Sequence, residues 1–178
     1  MKKFLKKAVA GFAAAALVFG SAGILPEGIF EGFNITASAE SGTCGPNLTW
    51  TLENDTLTIR GTGGMYAYED NVPPWAYKEF KNLIIEHGVT SISTNAFNSC
   101  RNLINIEIPI SVTDIPSAAF KYCSSLESIS LPISIKSIGE YAFAYCSSLE
   151  SITLPNRITK IGNFAFAYSG LRSTPREI

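Results

Sequence analysis

Imidazole is almost missing from this chain. Its 178 residues contain one histidine, His87, in a Glu86-His87-Gly88 stretch that reads as a solvated turn. With no second imidazole, a nucleophile–base relay has only this exposed side chain to draw on. Also missing are a glycine-rich phosphate loop and any Cys/His set with metal-ligand spacing. Motifs for cell-wall sorting and for cohesin docking are absent as well. Basic residues are scarce: 14 Lys and Arg stand against 15 Asp and Glu, and four of the lysines (Lys2, Lys3, Lys6, Lys7) fall in the first seven residues. Without residues 1–39, which hold those four bases and two acids, the remainder carries 10 bases against 13 acids, near −3. That balance argues against nucleic acid or an anionic membrane surface as partner, since either needs a basic footprint. We therefore expect a non-catalytic protein with no cofactor and no metal site.

An apolar run from Ala8 to Leu25 follows the four lysines without a charge, and Ala37-Ser38-Ala39 then offers small residues at signal-peptidase positions. The pattern predicts a secretory signal peptide over residues 1–39, cut after Ala39, with no stable membrane insertion after cleavage. An uncleaved anchor is the competing reading, because an apolar run of this length reaches the lower limit of a membrane span. The expected location is secreted or at the cell surface. What remains, Glu40 to Ile178, is long enough for one domain with a sizeable core.

From Ala96 onward the sequence repeats itself. Ala96-Phe97, Ala119-Phe120, Ala142-Phe143 and Ala165-Phe166 recur at one unbroken interval, and Cys100, Cys123 and Cys146 follow the first three pairs. After each cysteine comes one apolar series, such as Leu126, Ile129 and Leu131, closed by a proline (Pro109, Pro132, Pro155). A second pair follows, such as Ile135 and Ile138. A fixed period of this length signals stacked coils. Ile129 and Leu131 alternate with Ser128 and Ser130, the period of a strand with one buried face. The proline ends that strand. In Ala142-Phe143-Ala144-Tyr145-Cys146 the spacing predicts one helical turn that points Phe143 and Cys146 inward and Tyr145 outward. One coil cannot bury such a stripe alone, but stacked neighbours can. A partial repeat starts early, with Phe80, Leu83, Ile85, Val89 and Ile92 one full period before Leu103, Ile106, Ile108, Val112 and Ile115.

The pattern A-F-x-x-C-x-x-L-x-x-I-x-[IL]-P-x-x-[VI]-x-x-I resembles the leucine-rich repeats of the BspA-like, or Treponema-type, bacterial surface proteins. Gly42-Thr43-Cys44-Gly45, Leu48-Thr49-Trp50-Thr51-Leu52 and Pro74-Trp75 resemble the segment that often precedes such repeats. The resemblance covers essentially everything after the expected signal peptide and implies a solenoid of short parallel strands, turns and brief helical segments. It says little about a ligand.

The expected organisation is a signal peptide (1–39), an N-terminal β-hairpin cap and loop (40–82), and 23-residue leucine-rich repeats with an imperfect C-terminal coil (83–178). The hairpin is read from Leu48, Trp50 and Leu52, a turn at Glu53-Asn54-Asp55, then Leu57 and Ile59. It would cover the exposed first edge of the stack. The loop from Gly61 to Pro74 gathers Tyr66, Tyr68, Glu69 and Asp70, with Trp75 close behind. It is either a sugar-binding or paired-carboxylate patch, or a plug for the end of the core. Cys100, Cys123 and Cys146 should form a ladder about 5 Å apart with parallel side chains. That geometry suits buried free thiols better than disulfides or zinc. Cys44 has no assigned partner. In the last coil Ser169 replaces the cysteine, and Thr174 stands where earlier coils have Ile.

Two surfaces are candidates for binding an extracellular protein or glycan. The residues between inward strand positions, Asn105, Glu107, Ser128, Ser130, Ser151 and Thr153, form a face of small polar groups, joined by Asn82 and Ile84. Either a partner lies on that face, or Ser and Thr merely tolerate an exposed strand. Tyr122, Tyr145 and Tyr168 form an aromatic stripe, either a platform for a glycan or partner protein or a shield over the apolar turn. An adhesion-type module fits these features. A structural spacer, or a fragment of a longer repeat protein, is the rival, and the oligomeric state is open.

Overall fold

The computed structural model describes residues 39–68 and 72–172. Residues 1–38 of the expected signal peptide, the Glu69-Asp70 pair and Thr174 lie outside the described residues.

The chain opens with three antiparallel strands, β1 (Glu40–Gly45), β2 (Leu48–Glu53) and β3 (Thr56–Gly61). Asn54 and Asp55 connect β2 to β3, both with positive φ (49° and 60°). Two left-handed residues form the tight turn whose twist matches a hairpin, and Asn and Asp adopt that conformation more readily than other side chains. The expected hairpin is thus present, with β1 added on its outer edge. Trp50, Leu57 and Ile59 point into the core.

β3 then pairs in parallel with β5 (Asn82–Ile85), and β5 with β7 (Asn105–Glu107), so the cap and the first coils share one five-stranded sheet, β1-β2-β3-β5-β7. β9 (Ser128–Ser130) and β11 (Ser151–Thr153) continue the same side as a separate parallel pair. On the far side β4 (Gly63–Gly64) pairs with β6 (Val89–Ser91). Beyond them β8 (Asp114–Ile115), β10 (Ser137–Ile138) and β12 (Lys160–Ile161) stack in parallel register. After each strand proline its carbonyl accepts the N–H three residues on, as from Val112, Ile135 and Ile158, and the chain reverses.

The third side of each coil corrects the sequence reading. No helix forms at Ala-Phe-x-x-Cys among the described residues; the segment is a run of turns. In the second coil Ala119, Lys121 and Cys123 donate their N–H groups to carbonyls three residues back. Ala118, Phe120 and Tyr122 donate instead to Glu140, Ala142 and Ala144 of the next coil, each at 2.9 Å. Half of the N–H groups that a helix would use internally therefore tie neighbouring coils together. Left-handed residues four apart (Ala118 and Tyr122, Tyr141 and Tyr145) turn the backbone to make this possible. The inward and outward directions predicted for Phe143, Cys146 and Tyr145 hold all the same.

The core is a column of rings. Trp75 stacks on Phe97 at 5.3 Å between centroids, Phe97 on Phe120 and Phe120 on Phe143 at 5.4 Å, and Phe143 on Phe166 at 5.7 Å. Trp75 is fully buried, donates Nε1–H to the Ala96 carbonyl at 2.7 Å, and meets Trp50 and Tyr68 edge-on. Trp75 and Tyr68 thus pack at the end of the core as in the plug reading, whereas Tyr66 is exposed. Beside the rings, Cys123 Sγ donates to the Phe97 carbonyl (3.3 Å) and Cys146 Sγ to that of Phe120 (3.2 Å). All four cysteines are free. Burial pushes the thiols of Cys100 and Cys146 up to about 12, raises Cys123 well above its ordinary value, and takes Cys44 to about 11. Cys100, at the start of the ladder, is only half-buried. So are Ile106 and Ile108, which the alternation placed inside, and Ile152, Leu154 and Phe166 of the last described coil.

Candidate functional site: the strand face and the tyrosine flank

The register that stacks the inward residues also aligns the outward ones. Asn105 faces Asn82, Ser151 faces Ser128, and Thr153 faces Ser130. All six predicted face residues are exposed: Asn105, Glu107, Ser128, Ser130, Ser151 and Thr153. Asn105 Nδ2 donates to Asn82 Oδ1 at 2.8 Å, which starts an amide ladder that the sequence reading did not anticipate. Ser128, Ser130, Ser151 and Thr153 make no side-chain hydrogen bond among the described residues, so their hydroxyls are free to meet a ligand. Where β7 passes to β9 the ladder is interrupted, and a shallow open depression of about 430 Å³ lies over the junction. Ile84, Ile106 and Ile129 supply apolar lining, Asn105, Ser128 and Ser130 polar lining, and Glu107 is its only charged lining residue among the described residues. The arrangement supplies directed hydrogen bonds around an apolar patch. Among the described residues no group of three metal-ligating side chains gathers.

The tyrosine stripe lies on the turn side. Tyr122 stacks on Tyr145 at 4.6 Å and Tyr145 on Tyr168 at 4.8 Å. A second, shorter column, Tyr141 on Phe164 at 5.2 Å, was missed, although its members are also one repeat apart. Lys121 joins the columns: its Nζ lies 4.9 Å from the ring centroid of Tyr141, 5.1 Å from that of Tyr122 and 5.8 Å from that of Tyr145. Tyr122 and Tyr145 are half-buried and Tyr168 is exposed, so the stripe shields its flank and still reaches solvent.

No curated protein matches this sequence. Among solved structures, a leucine rich repeat protein of T. pallidum is 28% identical over 66% of this chain and 63% of its own, with a TM-score of 0.50. A leucine-rich repeat protein from Bacteroides ovatus is 30% identical over 67% of this chain and 37% of its own, with a TM-score of 0.47. The chain thus spans less than two thirds of the length of either. Six copies of the repeat described as the BspA type leucine rich repeat region match residues 75–175, more than half of the sequence, and the chain belongs to that family.

Proposed function

We propose that the chain is an exported, non-catalytic binding module that holds an extracellular protein against its strand face, in the manner of an adhesin. One observation carries the reading: Ser128, Ser130, Ser151 and Thr153 present free hydroxyls in register on adjacent strands, next to the depression lined by Ile84, Ile106 and Ile129. Small side chains let a partner approach the sheet closely, and several hydrogen bonds around an apolar centre are the usual make-up of a protein interface. Export rests on the lysine-led apolar segment and the small residues at Ala37 and Ala39; β1 begins at Glu40, directly after the expected cut. Among the described residues no helix is long and apolar enough to cross a membrane.

The test is binding of purified residues 40–178 to an array of extracellular-matrix proteins and glycans. A protein ligand is expected, and Ser128→Arg and Ser151→Arg should each abolish its binding while leaving the fold intact. Binding that survives both substitutions would remove the site from the strand face. Silence across the array would favour the rival reading, a spacer or part of a longer repeat protein.

A further inference from the structure

The repeats contain their own control experiment. Each turn holds two residues at positive φ, four apart: Asn95 and Ser99, Ala118 and Tyr122, Tyr141 and Tyr145, Phe164 and Tyr168. The first turn meets this demand with small polar residues, and it buries Phe97 as completely as the third turn buries Phe143. Aromatic side chains are therefore not what the backbone needs there; positive φ is unfavourable for a bulky L-residue. Yet rings occupy five of the six such positions in the later turns, and all five meet in one patch. At its end Phe164 is 62% exposed and Tyr168 75%.

Stacked rings cover one another's faces, so the patch offers solvent the hydroxyl ends of its tyrosines and the outer faces of Tyr168 and Phe164. At its centre is the Lys121 ammonium, which contacts three rings and forms no ion pair among the described residues. A cation with no ion-pair partner among the described residues, held over tyrosine rings, complements an anion on a hydroxyl-rich ligand. We propose that this flank is a second binding site, separate from the strand face, for an acidic glycan. Lys121 takes a carboxylate or sulfate, the hydroxyls of Tyr122, Tyr141 and Tyr145 bond sugar hydroxyls, and a sugar ring lies on the open face of Tyr168.

The experiment is titration calorimetry of residues 40–178 with oligosaccharides of hyaluronan, polygalacturonate and heparin, with dextran and polyglutamate as controls. At least one acidic oligosaccharide should bind, and dextran and polyglutamate should not. Lys121→Gln should weaken binding at least tenfold. So should the pair Tyr141→Asn with Tyr145→Ser, which installs the first turn's polarity and should move the melting temperature by less than about 4 °C. Tyr168→Ser, at the exposed end of the column, gives the same reading should that pair fail to fold. Ser128→Arg should leave glycan binding unchanged, which separates this site from the strand face. Failure of all three acidic glycans, equal binding of polyglutamate or dextran, or indifference to Lys121→Gln and Tyr168→Ser would overturn the proposal.

Discussion

The first and third turns of the stack share an interior and differ in their exterior. Both bury an Ala-Phe pair completely, and both donate alternate N–H groups to the next coil. Outside, one carries Asn95 and Ser99 and the other Tyr141 and Tyr145, at nearly equal φ. Stacking dictates the inward residues, because each ring needs a ring above and below. It leaves the outward ones to vary. Information about a ligand therefore lies in the outward residues.

The largest expected effect comes from breaking the interior. Phe120 has a ring on both sides, so Phe120→Ala should cost about 3–5 kcal/mol. Phe166 is half-buried with one stacked ring among the described residues, and Phe166→Ala should cost roughly 2 kcal/mol. Urea unfolding of the two variants would show whether place in the stack sets the cost; equal losses would mean that it does not.

The thiols give a smaller effect of known sign. Burial raises them from an ordinary 9.0 to about 12 in Cys100 and Cys146, so above pH 9 the unfolded chain releases protons that the folded chain keeps. Their contribution is complete below pH 9 and falls as pH rises towards 12. The urea midpoint should drop across that window, and less steeply in a Cys123→Ala, Cys146→Ala variant. At neutral pH a thiol probe on the folded chain should label half-buried Cys100 before Cys123 or Cys146; the opposite order would place the ladder's open end elsewhere.

Sharpening the comparison means making the first turn resemble the third. Ser99→Tyr adds a fourth ring below Tyr122, worth about 0.5–1.5 kcal/mol in stacking, against the strain of a bulky residue at positive φ. Stability should change by less than about 1 kcal/mol in urea unfolding. A loss above about 3 kcal/mol would show that the exterior of the first turn is not free to vary.

Much of this was legible in the sequence, because the repeat spaces the inward residues evenly and the hairpin turn is local chemistry at Asn54 and Asp55. The helical reading of Ala-Phe-x-x-Cys failed for a non-local reason. Residues three apart share a face in a helix and in a run of turns alike, and what separates the two is where Phe120 and Tyr122 send their N–H groups, a matter for the next coil. Strand β1 lacks an apolar alternation and is held by its ladder to β2. The half-burial of Ile106 follows from the interrupted ladder between β7 and β9, which no residue type announces. In the candidate sites the polar rows followed from strand alternation. Lys121 did not, because its role depends on rings brought together from two turns.

The central claim is that inward residues hold the fold and outward strand residues are free for a partner. Urea unfolding of Phe143→Ala beside Ser128→Arg tests it most directly. The account predicts a loss of about 3–5 kcal/mol for Phe143→Ala and a change within about 0.5 kcal/mol for Ser128→Arg. A Ser128→Arg loss approaching that of Phe143→Ala, or a Phe143→Ala loss below about 1 kcal/mol, would contradict it.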